Sequence, residues 1–466
     1  MNRSNKQEYI SQISAVKASE LFREKTAQWL KKRETECPDP SRNHRALKFI
    51  LAPALAVVLV CTLLFSNVMP SFNTAQASEN LMSGIKPDKM DLKAEISEEF
   101  VSAAADFSVK LFQKSVNKDT NSLVSPVSVY LALGMTANGA DGNTLKQFEN
   151  VLGSGLSISE LNRNYYNVTN QLKSIKDGKL QIANSIWYRN QGLKVEKGFL
   201  QKNADYFGAG AFQLDFSKQS AANKINHWVK ENTGGKIDKM VDQIDHSTVM
   251  YLINTLYFES DWLQGYMKYN VSSKEFHTGQ EDVSTSFMSS EEHYIHDEKS
   301  TGMVKPFKDT RYAFAAILPK EGTNLQDYIS GMTGKDFLKL MSSSERERAD
   351  CWLPKFKYEY SVNLNDPLKS LGLADAFNGD VSDFSKMGST AQGNLYIGNV
   401  LHKTFIEVDE AGTKAGAATS VEMATSSSMP SAEPKKVVFD RPFVYAIIDT
   451  QTKLPVFIGT VTNPTK

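Results

Sequence analysis

The C-terminal four-fifths of the chain is expected to be an α+β domain with many strands and about eight or nine helices. Three observations predict this. Phe100 to Val116 carries Val101, Phe107, Val109, Leu111 and Phe112 at helical spacing. Val249 to Phe258 (VMYLINTLYF) is a mostly apolar run of strand type, suited to a central strand buried on both faces. Val437 to Val461 reads as a pair of strands around Asp449-Thr450-Gln451.

Composition sets the outer bounds. A chain of 466 residues has room for one large domain or two. Lys and Arg number 53, as do Asp and Glu, so no global basic field points to nucleic acid. Cys37, Cys61 and Cys351 lie far apart, which is neither a disulfide framework nor a metal-ligand spacing. No cofactor is expected.

The N-terminal part reads differently. Residues 1–48 are polar and basic-leaning, and Lys17 to Arg33 has helical periodicity. No charged residue occurs from Phe49 to Ser78, and 49–68 is long enough as a helix to cross a hydrocarbon core of roughly 30 Å. Arg42, Arg45 and Lys48 flank its N-terminal side, whereas no Lys or Arg follows until Lys86. That asymmetry puts 1–48 in the cytoplasm and the large domain outside, joined by a stalk over 69–91. Ala75-Gln76-Ala77 is also a small-x-small cleavage site, so secretion after cleavage near Ala77 stands as the alternative to a signal anchor.

Within the large domain, Ser125 before Pro126 fits a helix start, and the Ala- and Gly-rich helix that follows can be approached closely by other backbone. Leu180 to Tyr188 (LQIANSIWY) is a strand, and Ile225 to Val241 holds a helix stopped at Gly234-Gly235. Asn254 interrupts the apolar Val249–Phe258 run and needs a partner. Tyr312 to Leu318, Trp352 to Tyr360 and Leu395 to Val408 are further strands, and Asp366 to Phe377 is a short helix and turn.

The segment 410–434 (EAGTKAGAATSVEMATSSSMPSAEP) has the composition of a flexible linker. Two facts argue otherwise. Only about thirty residues follow it, too few for an independent domain. Its first half also alternates: Thr413, Ala415, Ala417, Thr419, Val421 and Met423 form an uncharged parity, while Lys414 and Glu422 fall on the other. Period two with one uncharged face is the pattern of a half-buried strand. The segment is competent both as an exposed loop and as a strand.

Several motifs in order resemble the serpin family over 92–466. They include Ser125-Pro126 with Gly139-Ala140 and Thr144, Ile182-Ala183-Asn184, and Ile225-Asn226-x-Trp228-Val229 with Thr233-x-Gly235-Lys236-Ile237. Asn254-x-x-Tyr257-Phe258-x-x-x-Trp262, Leu353-Pro354-Lys355-Phe356, Leu371-Gly372, Asp383-Phe384-Ser385 and Phe439-Asp440-Arg441-Pro442-Phe443 follow. Each is weak alone; the ordered set is specific. The resemblance implies a serpin fold of three β-sheets and about nine helices, with 410–434 as an exposed reactive-centre loop.

It also implies a serine protease inhibitor acting as a suicide substrate. A protease cuts the loop and forms an acyl-enzyme, and 412–426 inserts into the main sheet as a new strand. Roughly seventeen residues at about 3.3 Å each would carry the protease about 55 Å, where its triad and oxyanion hole are distorted. Family spacing from Gly412 puts the bond at Ser426–Ser427, with Thr425, Met423 and Met429 as alternates. Small residues there suggest an elastase-like or subtilisin-like target. Glu410, Gly412, Thr413, Ala415, Ala417, Ala418 and Thr419 form the hinge, with Gly412 read as a permissive pivot. Asn254, His402, Trp262 and Ser125 match family positions where the sheet opens, and a hydrogen bond between Asn254 and His402 would satisfy both.

No enzymatic activity is expected. Ser83-x-x-Lys86 and Ser115-x-x-Lys118 lack the companion motifs of a serine–lysine enzyme, no G-x-S-x-G elbow occurs, and His293 with His296 does not form H-E-x-x-H. A non-inhibitory serpin acting as a binding or chaperone module is the main competing reading, and the small, uncharged inserting face of the hinge argues against it. A monomer is expected.

Overall fold

The computed structural model describes residues 80–88, 95–172, 175, 177–190, 192–244, 248–343, 347–391, 393–413 and 435–466. In chain order these form α1 (Glu98–Ser115), β1 (Ser122–Val124), α2 (Pro126–Ala137), α3 (Gly142–Gly153), α4 (Ile158–Leu172), β2 (Lys179–Arg189), β3 (Leu193–Val195), α5 (Lys197–Phe207), β4 (Gly210–Leu214) and α6 (Gln219–Asn232). Next come β5 (Met250–Glu259), β6 (Val271–His277), β7 (Asp282–His296), β8 (Ser300–Pro306), β9 (Tyr312–Pro319), α7 (Leu325–Ser330) and α8 (Gly334–Met341). Then follow β10 (Arg348–Pro354), β11 (Phe356–Asn363), α9 (Asn365–Ser370), β12 (Gly388–Thr390), β13 (Asn399–Val408), β14 (Lys435–Val438), β15 (Phe443–Asp449) and β16 (Pro455–Val461). Among the described residues there are thus nine α-helices and three sheets, the α+β architecture expected.

The five-stranded sheet runs β11-β13-β5-β2-β4. Strand β5 is its centre and is buried along all but its last residue, as its unbroken apolar run requires. Helix α6 covers one face, burying Ala222, Ile225 and Val229 against Trp187, Tyr251 and Ile253. Helix α2 lies beneath the other face. It is buried nearly all round, and Tyr165 of α4 rests on Gly134, where a Cβ would come within 2.5 Å of the ring. The nine-stranded sheet runs β1-β16-β15-β9-β8-β7-β10-β14, with β6 on β7. Its β15 and β16 are wholly buried and pair antiparallel, as the C-terminal sequence pattern predicts.

Two expectations change in detail. The run Trp352 to Tyr360 is two strands, β10 and β11, in different sheets. Pro354 has no N–H for a ladder, and the Lys355 N–H turns to Ser286 O at 2.8 Å. The helix through Ile225 stops as expected: it ends at Asn232, and Gly234 (φ 58°) and Gly235 (φ 77°) take left-handed conformations just beyond it. The stalk expected over 69–91 is not free where it is described. Asn80 bridges Phe212, the Leu81 N–H donates to Ala211 O at 2.9 Å, and Leu81, Met82 and Ile85 rest on the core. Asn80 and Leu81 therefore pair with the outer edge of β4, which would otherwise expose unpaired backbone, while Lys86 and Asp88 bond to Gln201 and Asp205 of α5.

Among the described residues no helix is long and apolar enough to cross a membrane. The span expected over 49–68 and the segment 1–48 lie outside the described residues.

Candidate functional site

Strands β5 and β13 run parallel, but their pairing covers only Tyr251–Thr255 against Asn399–Lys403. Beyond it, Leu256–Glu259 and Thr404–Val408 continue side by side without a shared ladder. The sheet is thus open between its two central strands at one end. Just there the chain leaves β13 and turns back. Asp409 makes the turn: its N–H donates to Gly412 O at 3.0 Å, and its Oδ1 accepts from the Ala411 and Gly412 N–H groups.

After the turn, Gly412 bridges Asp261 in the antiparallel sense. The Thr413 N–H donates to Ser260 O at 3.0 Å, and the Thr413 side chain is 4% exposed. The first two residues of a returning strand are therefore seated at the mouth of the gap. Gly412 is required there for a reason other than pivoting. A Cβ at this position would lie 2.2 Å from Ser260 O and 2.7 Å from the Asp261 Cα. Trp262 holds the turn from the side: its N–H donates to Ala411 O at 2.8 Å and its Nε1–H to Asp409 O at 2.9 Å. Tyr266 adds a third backbone bond, from its N–H to Glu410 O at 2.9 Å. The Glu410 carboxylate pairs with Lys355 at 2.6 Å. Burial opposes the charge on Glu410, but the Lys355 hydrogen bond and ammonium prevail and hold the carboxyl below its usual range.

A row of polar side chains crosses the sheet at the closed end of the gap. Asn184 on β2, Asn254 on β5 and His402 on β13 are direct register neighbours. The Ser125 N–H, at the start of α2, donates to His402 Nε2 at 2.9 Å. A backbone N–H can only donate, so Nε2 carries a lone pair and the imidazole is neutral with its proton on Nδ1. That proton points to Asn254 Oδ1 at 3.0 Å. The Asn254 amide then donates to Ser128 O at 2.6 Å and to Asn184 Oδ1. Ser125 also caps α2, and its hydroxyl donates to Val456 O at 2.8 Å.

Burial drives the His402 pKa down from 6.5 to about 3. The neutral ring is the folded form, and the unfolded chain binds the extra proton between these values. Stability from this residue is fully present above about pH 6.5 and is lost as pH falls towards 3, by about 1.4 kcal/mol per pH unit. Urea midpoints taken between pH 4 and 7 are expected to show this slope, and His402→Gln should reduce it by about one proton. An unchanged slope in that variant would assign the acid sensitivity elsewhere.

The structure brings together Glu410, Gly412, Thr413 and Trp262 at the mouth of the gap and Asn254, His402 and Ser125 at its closed end. The hinge residues Ala415, Ala417, Ala418 and Thr419, the bond Ser426–Ser427 and its alternates Thr425, Met423 and Met429 lie outside the described residues. Asn184, Ser260, Lys355, Asp409 and Tyr266 carry contacts the sequence reading did not assign. For Asn184 the signal was available, since it interrupts an apolar strand just as Asn254 does. Among the described residues no cluster of three or more His, Cys, Asp or Glu could hold a metal ion.

A family model described as Serpin (serine protease inhibitor) matches residues 102–464. The chain belongs to the serpin family. An α1-antitrypsin homolog from Cyprinus carpio is 33% identical to this serpin over 335 residues, 70% of this chain and 87% of that one. Among solved structures, the thermophilic serpin tengpin in its native state is 46% identical, with a TM-score of 0.78 over 82% of this serpin and 99% of tengpin. Tengpin in its latent state gives a TM-score of 0.69 at 43% identity, over 79% of this serpin and 98% of that chain. Members of the family are generally protease inhibitors rather than enzymes.

Proposed function

We propose that this serpin inhibits a serine protease outside the cytoplasm by acting as a suicide substrate. The protease attacks the loop at Ser426–Ser427, with Thr425, Met423 and Met429 as alternate acyl-side residues, and 412–426 then enters the gap between β5 and β13. The observation that carries this reading is the seated start of the returning strand: Gly412 and Thr413 already occupy antiparallel positions beside Ser260 and Asp261, with an open interface ahead of them. Each further pair extends an existing ladder, so no new nucleus is needed.

The small residues around Ser426 favour elastase-like or subtilisin-like targets. The apolar, uncharged stretch 49–68 supports membrane anchoring, with secretion after cleavage near Ala77 as the alternative. Incubation with pancreatic elastase and with subtilisin is expected to give an SDS-stable covalent complex and to release a C-terminal peptide beginning at Ser427. Loop cleavage without a complex would instead identify a non-inhibitory serpin acting as a binding or chaperone module. Fractionation of expressing cells decides between anchor and secreted form.

A further inference from the structure

One pair of buried charges lies beneath the hinge and takes no part in the polar row. Lys305 on β8 and Glu292 on β7 meet at 2.5 Å, with side chains 3% and 5% exposed. The Ser290 hydroxyl donates to the same Glu292 oxygen at 2.6 Å. The Lys305 ammonium sits 4.3 Å from the centre of the Tyr266 ring and 5.6 Å from that of Trp262. Those two rings meet edge to face, and Trp262 stacks on Phe307 at 4.7 Å. Stability alone gives no reason for such a pair, because a buried ion pair is often no better than apolar residues of the same volume. What it supplies is orientation. A desolvated cation attracts aromatic faces strongly, and these two residues donate the three hydrogen bonds to the carbonyls of Asp409, Glu410 and Ala411 described above.

We infer that Lys305, neutralised by Glu292, is a positioning residue for loop insertion: it fixes Trp262 and Tyr266, and through them the seat from which the hinge enters the sheet. This rests on the suicide-substrate reading for its consequence but not for its geometry. A loosened seat lets the returning strand lose its first pairs at Gly412 and Thr413, so insertion after cleavage is slower and more acyl-enzyme is hydrolysed.

The test is the double variant Lys305→Met/Glu292→Gln, which removes both charges at similar volume. Hydrogen exchange followed by mass spectrometry is expected to show at least tenfold faster exchange for the Trp262 and Tyr266 amides and for Thr413. Exchange in β15 should be unchanged. With subtilisin, the stoichiometry of inhibition should rise by about tenfold while the urea midpoint stays near that of wild type. Unchanged exchange at the seat overturns the inference. So does faster exchange with an unaltered stoichiometry, which would leave the pair a local structural contact. Exchange that rises everywhere, with a fallen midpoint, overturns it as well. If wild type traps neither subtilisin nor elastase, the inhibitory reading fails, and the exchange result still decides whether the pair holds the seat. Lys305→Gln/Glu292→Gln, which removes both charges but leaves groups that hydrogen-bond each other and Ser290, carries the same test if the first double variant does not fold.

Discussion

Thr413→Arg is expected to convert the inhibitor into a substrate. Thr413 is the first returning residue whose side chain turns inward, and it is already buried with its N–H on Ser260 O. Zippering past this point commits the side chain to the interior. A guanidinium there is carried into the interior of the sheet, and burying a charge costs several kcal/mol even after relaxation. If only about 3 kcal/mol of this appears in the insertion barrier, insertion slows roughly a hundredfold. Hydrolysis of the acyl-enzyme is untouched and then wins the competition. The variant should be cleaved and released, with no SDS-stable band and a stoichiometry of inhibition raised by more than tenfold. Thr413→Ser, which keeps the size and the hydroxyl, should inhibit like wild type. A Thr413→Arg variant that still traps protease at the wild-type ratio would mean that the hinge does not enter by this route.

Asn254→Leu should have the largest effect on the uncleaved protein. The substitution leaves the His402 Nδ1–H and the Asn184 Oδ1 facing hydrocarbon. Orphaned buried groups of this kind cost about 1 to 3 kcal/mol each, so a loss of about 3 to 5 kcal/mol is expected in urea unfolding. The kinetic consequence is greater than the loss of midpoint suggests. Neighbouring strands lie about 4.8 Å apart. A strand admitted between β5 and β13 would therefore double their separation and must break the 3.0 Å contact between Asn254 and His402. Removing that contact in advance lowers the barrier to opening. Incubated without protease, the variant should lose inhibitory capacity of the order of a hundredfold faster than wild type, converting to a loop-inserted or self-associated form on native gels. Wild-type decay kinetics would show that the row is a packing device without control over the gap.

Much of this was legible in the chain because it depends on short-range rules. The apolar run at Val249–Phe258 can be satisfied only by burial on both faces, and β5 is so buried. The Gly234-Gly235 pair stops a helix wherever it falls. A lone Asn in an apolar strand requires a partner, and His402 provides one. Other parts depend on which strands become neighbours. Asn184 gained its role because the register sets it directly opposite Asn254. The sequence marks Gly412 as a pivot, and only the approach of Ser260 O reveals a steric demand. Residues 80–88 read as stalk because their few apolar side chains have no periodicity, while the β4 edge that Asn80 and Leu81 pair with is formed more than a hundred residues later.

By itself, then, the sequence determined the α+β class, the buried central strand, the need of Asn254 for a partner and the small, uncharged parity of the hinge. Each of these follows from the chemistry of adjacent residues, which is present before any fold exists. Only the tertiary structure decided where the sheet stands open, that Thr413 already sits at its mouth, and that Lys305, Trp262 and Tyr266 converge beneath the turn. Those are contacts between segments far apart in the chain, and their distances exist only once the two sheets have packed.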